Sequence, residues 1–218
     1  MSELESAIRE FFSRFSVFKR PEPIDSAARF GEFMATRSAF VSQKKLYEYV
    51  KTRMGLSYPR HFRDDVFIES LNIAKWHVYA AAMSDLAVWM TAQTYGRTGD
   101  ADECAKIARY WYARALEDRF DSTIAEALPR IEADFGNRVE LTDWAVRGRK
   151  DYAFTLSPKE LVRWAPISDE LKQYDVEIVE NSIRFAWVQI RTDFNAVYDH
   201  EAFIADWRQN YAEKAGSG

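Results

Sequence analysis

Only eight glycines and six prolines punctuate the 218 residues. Between them apolar residues recur at helical spacing, and nowhere does the strict alternation of a half-buried strand persist. The chain is therefore expected to be all-α, a single-domain helical bundle of about seven to nine helices. Four helix starts are signalled by a cap residue three places before a glutamate: Ser2 with Glu5, Asp100 with Glu103, Thr123 with Glu126 and Ser157 with Glu160. In such a capping box each side chain satisfies the other residue's free amide. Helices are predicted at about 3–18, 26–54, 65–95, 101–119, 123–134, 158–164 and 177–197, with a last one from about 200.

Two units follow from the prolines in "KRPEPID", Lys19 to Asp25, because each disfavours helix in the residue before it. Residues 1–20 form an N-terminal amphipathic helix separated from the body, and residues 25–218 form the helical domain. Leu4, Ile8, Phe11, Phe12 and Phe15 share one face of that first helix. It is expected to dock on the core; the alternative is peripheral membrane contact through residues 3–18. The link "GLSYPRHFRDD" joins the two longest helices, which are expected to pair antiparallel.

With hydrophobic residues at 47%, a sizeable core can be buried. A net charge of −4 argues against a dedicated nucleic-acid binder. The single cysteine, Cys104, forms no intramolecular disulfide and no thiolate cluster, which favours a reducing, cytoplasmic setting. The N-terminus lacks the basic and apolar regions of a secretory signal. The weakly polar run Trp76–Ala92 is interrupted by His77, Ser84 and Asp85, and reads as a buried helix rather than a membrane span.

No G-x-S-x-G elbow, G-x-G-x-x-G turn or Walker loop occurs. His61, His77 and His200 fit no metal-ligand spacing. No catalytic residue, metal or cofactor is therefore assigned.

What stands out is charge set into apolar helices. Arg37, Lys44 and Lys51 repeat every seven residues, forming a line that drifts only about 20° per step. Arg37 is the most internal of the three, because apolar residues after Lys45 face away from that line. Glu69, Asn72 and Trp76 share a face of the next helix, and Arg184 and Arg191 flank Trp187 near the C-terminus. Buried charges must be paired, so these groups are either interhelical ion pairs or the lining of a polar pocket. The pocket reading makes Arg37, Lys44, Glu69, Asn72, Trp76, Arg184, Trp187 and Arg191 the candidate ligand-binding residues, suited to an anionic head group on an apolar body. The loop "RGRK", Arg147 to Lys150, is read as solvated, with contact to nucleic-acid phosphates or an acidic partner as the alternative.

Three blocks carry a resemblance: "FMATRSAFVSQKKLYEYVKTRMG" from Phe33, "DDVFIESLNIAKWHVYAAAMSDLAVWM" from Asp64 and "APISDELKQYDVEIVENSIRFAWVQIRTDF" from Ala165. In these the chain resembles a family of helical bacterial proteins of similar length and uncharacterised role, some labelled "esterase". The resemblance implies a helical fold and, from the label, a hydrolase, and transfers no catalytic residue by position; on the residues alone, an unconventional helical active site would draw on Ser38, Ser42 or Ser70 near Arg37 and Glu69. The residues themselves favour a soluble, non-enzymatic binding protein. It would be an adaptor or assembly factor for a protein partner, or a carrier of an amphipathic anionic small molecule.

Overall fold

A computed structural model describes residues 22–117 and 122–216. The expected helix at 3–18 and the Ser2–Glu5 box lie outside them. Seven helices of seven residues or more make up the fold, and no sheet is present among the described residues. They are α1 (Ala27–Met54), α2 (Asp65–Thr98), α3 (Ala101–Glu117), α4 (Leu128–Glu140), α5 (Leu156–Trp164), α6 (Val176–Val197) and α7 (His200–Asn210). Short turns at Tyr58–His61, Trp144–Arg147, Asp169–Lys172 and Ala212–Ala215 fill the connections. The all-α bundle expected from glycine and proline scarcity is what forms.

The ends are chemically explicit. Ser26 caps α1 by accepting from the Arg29 amide, and Asp64 caps α2 by accepting from the Val66 and Phe67 amides. At its other end α2 stops at Gly99, whose φ of 68° a side chain would strain. Asp100 accepts from the Glu103 amide at 2.9 Å, as its capping box predicts.

Two expected starts are corrected. Thr123 lies in a 3₁₀ turn, Ser122–Ile124, and α4 begins only at Leu128, followed by Pro129 in its first turn. Ser157 lies inside α5 rather than ahead of it, because an aspartate from another helix takes over the capping. Likewise the tail of "KRPEPID" is not a free linker. The Ile24 amide donates to Val197 at 2.9 Å, and the Asp199 amide donates to Ile24 at 3.0 Å. The Ala27 amide donates to the Asp206 carboxylate at 2.8 Å.

Helix α2 is the axis of the bundle. From Val78 to Ala92 every residue is buried, so it is an internal helix as its run of weakly polar residues suggested. No described helix is long and apolar enough to cross a membrane. Helix α1 packs along α2, with Ala39 and Gln43 facing Tyr79 and Trp76 across a shared cleft, the register of an antiparallel pair. Helix α6 joins α1 at its start, where the Asp175 carboxylate takes the Arg53 guanidinium and, at 3.1 Å, the Tyr49 hydroxyl. Burial first, then this acceptor, pushes the Tyr49 phenol up to about 12.

Candidate functional site: a basic cleft between α2 and α6

The deepest polar feature belongs to α2. Ser84 and Asp85 interrupt its apolar run, and the Asp85 side chain is fully enclosed. One oxygen takes Arg138 of α4 at 2.8 Å; the other takes the amide and hydroxyl of Ser157 at 2.8 and 2.7 Å. The Thr155 and Leu156 amides also point to it. Asp85 thus caps α5 from outside, satisfying amides that a helix N-terminus leaves free. Arg138 completes the net by donating to Ser84 at 2.7 Å and to the Ala153 carbonyl. This network fixes the segment from Ala153 to Ser157 against α2.

That segment and the turn before it build one wall of a cleft. Gly148 lies so close to α2 that a Cβ there would meet the Ala92 carbonyl oxygen at 3.2 Å, and its own carbonyl accepts from Gln93 at 3.0 Å. Two residues on, Lys150 holds a positive φ of 43°, sparsely populated for a residue with a side chain. Phe154 then turns inward, stacked on Trp187 of α6 with centroids 4.8 Å apart.

The cleft has a volume of about 230 Å³ and is lined by Trp89 and Gln93 of α2, Lys150 of the loop, and Val188, Arg191 and Asn195 of α6. Its electrostatics are one-sided, because no carboxylate is among its lining residues. Two of its lining residues also carry nitrogens without a hydrogen-bond partner. The Trp89 indole nitrogen and the Arg191 Nε are both buried and have no hydrogen-bond partner. Arg191 lies over Phe154, its guanidinium carbon 5.8 Å from the ring centroid, which orients the charge without satisfying its N–H groups. Unpartnered indole nitrogens occur at Trp76 and Trp111 too. Trp89 lines its cleft with Arg191 and Lys150, whereas Trp76 lines its own with Lys75 alone as a cation. A larger cleft of about 730 Å³ around Tyr198 holds Arg97 and His200 together with Asp199 and Glu201, and so has no single charge preference.

The sequence candidates fall into separate places. Arg37 is half-buried, its guanidinium carbon 5.2 Å from the Phe33 centroid. Desolvation lowers its pKa, with the Asp193 charge opposing. Lys44 reaches toward solvent, 5.3 Å over Phe40 and 3.9 Å from Glu48. The ordering of the cation line, Arg37 innermost, is thus as expected. Glu69 is exposed. Asn72 accepts from Lys75 at 3.5 Å, and Trp76 lines its own cleft of about 260 Å³ with Gln43 and Tyr79. Arg184 is exposed and paired with Glu180 at 2.7 Å, a surface ion pair of small energetic weight. Trp187 is sealed in the core, its indole nitrogen donating to Ser157 at 3.0 Å.

A single pocket lined by both Trp76 and Trp187 is therefore not what forms. Of the eight candidates, Arg191 alone lines the basic cleft. Lys150 belongs to the "RGRK" loop, whose charge was visible but whose place beside Arg191 was not. Trp89 and Gln93 carried no signal that set them apart from core residues.

None of the three serines of the hydrolase reading has a histidine or a carboxylate as hydrogen-bond partner. Ser42 and Ser70 donate to backbone carbonyls at 3.1 and 2.8 Å, and the buried Ser38 hydroxyl has no partner. Among the described residues the serine hydroxyl given to a carboxylate is that of Ser157, fully buried and with no histidine in its network. No group of metal-ligating side chains is present among the described residues. No protein-family model matches the chain, nor does any curated protein or solved structure.

Proposed function

We propose that the protein acts by binding rather than catalysis, and that its ligand is an amphipathic anion whose head group enters the cleft of Trp89, Arg191 and Lys150. One observation carries the reading: two residues that each hold a buried nitrogen without an acceptor line a carboxylate-free cleft together with a lysine. Leaving a buried donor unmet costs about 1–3 kcal/mol, so an acceptor that reaches these nitrogens recovers that cost. Carboxylate and phosphate oxygens are suitable acceptors, and a guanidinium binds either strongly.

The volume decides how much of the ligand is enclosed. At about 230 Å³ the cleft is smaller than the roughly 300–1,000 Å³ of pockets that engulf a drug-sized molecule. A head group fits, and an apolar body must lie outside, where Val188 and Phe185 stand exposed. No serine placement favours a hydrolase, so that reading is not carried forward. The thiol of Cys104 is free and enclosed, and burial pushes it up to about 12.

Octyl phosphate tests the reading by titration calorimetry. The wild-type chain is expected to bind it, and Arg191→Gln to weaken binding about tenfold or more, the worth of a charge-assisted hydrogen bond. Equal affinities in the two proteins would contradict the assignment.

A further inference from the structure

One wall of the cleft, Val188, belongs to an exposed apolar stretch of α6, and this bears on where the ligand comes from. Most large apolar side chains left exposed lie between Val146 and Val188. On α6 the most open are Ile178 and Phe185, 72% and 75% exposed, and Val188 is 48% exposed. Val188 is itself a wall of the cleft, and Phe185 lies one turn before it. Beside them the loop presents Arg149 and Lys150 to solvent with Asp151 as its nearby acid. Farther along α6, Glu180 is already tied to Arg184, while Glu177 stands near its start. Apolar side chains, basic side chains and an anion cleft thus meet on one side of the molecule.

This combination separates a carrier from a membrane-docking protein. A carrier must shield the tail of its lipid from water, and a cleft of about 230 Å³ shields only the head. If the tail stays in a bilayer, no further cavity is needed, and the exposed side chains of α6 have an apolar medium to enter. The basic loop then meets the negative surface of that bilayer.

Building on the head-group reading above, we infer that the protein docks peripherally on an anionic lipid bilayer through the outer face of α6, with a lipid phosphate seated between Trp89, Arg191 and Lys150. Phe185 and Val188 enter the boundary between head groups and acyl chains, and the loop from Arg147 to Lys150 lies on the head groups. Docking is reversible, since no described helix is long and apolar enough to span.

Co-sedimentation of the full chain with vesicles tests this, using phosphatidylcholine alone and phosphatidylcholine mixed with phosphatidylglycerol. The wild type is expected to sediment with the mixed vesicles and to stay in solution with the neutral ones. The double variant Phe185→Ser, Val188→Ser, whose changes lie on the surface and whose fold is checked by circular dichroism, is expected to lose binding about tenfold or more. Arg191→Gln is expected to weaken it as well. If vesicle binding is absent while octyl phosphate still binds in solution, the docking inference fails and the head-group reading stands. If neither binds, both fail. Binding that survives the α6 double variant but vanishes when residues 1–20 are deleted would place the contact on the N-terminal segment and overturn the inference. Equal binding to neutral and anionic vesicles would remove the phosphate from it.

Discussion

Asp85 organises more of this molecule than any other residue. A carboxylate with no exposure is held by one guanidinium, three amides and a hydroxyl drawn from two other parts of the chain. Removing one partner of such a pair leaves the other charge buried and unmet, at a cost of about 3–5 kcal/mol. Asp85→Ala is accordingly expected to lower the urea midpoint by that equivalent, and to loosen the segment that carries Lys150. A midpoint shift equivalent to under about 1 kcal/mol, a surface-pair value, would show the network to be dispensable. In the sequence Asp85 was visible only as an interruption of an apolar run. Its partners lie 53 and 72 residues away, and no local period connects them. Arg37 was legible because its burial follows from the face of its own helix. Trp187 was misplaced because the same periodicity cannot tell a pocket wall from a core position.

At the scale of elements, helix existence was nearly all readable and helix starts were mixed. The ranges expected for α1 and α6 agree with Ala27–Met54 and Val176–Val197 to within a residue. Both have apolar faces that persist to their ends. The starts that failed, at Thr123 and Ser157, are those where a local cap signal was overridden by tertiary structure. At Ser157 the serine hydroxyl and the first amides of α5 are taken by Asp85 instead. Packing between elements was less legible still. Gly31 reads as an ordinary helical glycine, yet α1 and α3 meet there so closely that a Cβ would fall 2.1 Å from Trp111. Gly31→Ala is therefore expected to destabilise by about 1–3 kcal/mol through overpacking, despite alanine's better helix propensity. Thermal melts check this. A stabilised variant would mean that the two helices separate at little cost.

At the scale of the whole molecule, the bundle serves as a frame that brings a loop to two helices. The core shared by α1, α2 and α6 holds Trp89 in place, Asp85 and Arg138 clamp the chain that follows the loop, and Gly148 seats the loop itself on α2. The outcome is a carboxylate-free cleft with two cations in a protein whose net charge is −4. Composition pointed away from a dedicated nucleic-acid binder, and a locally basic site is compatible with it because net charge says nothing about where charges gather. The fold class was thus written into the glycine and proline count, while the cleft depends on contacts across more than fifty residues, such as Gln93 to Gly148.

The central claim is that the unspent donors of this cleft receive an anion. It is tested most directly at the Trp89 indole N–H, observed by proton–nitrogen correlation spectroscopy and assigned through Trp89→Phe. On titration with octyl phosphate this resonance is expected to move downfield as its proton gains an acceptor, while the Trp76 and Trp111 indole signals stay in place. A Trp89 signal that does not move at saturating ligand, or a shift confined to another tryptophan, would contradict the account.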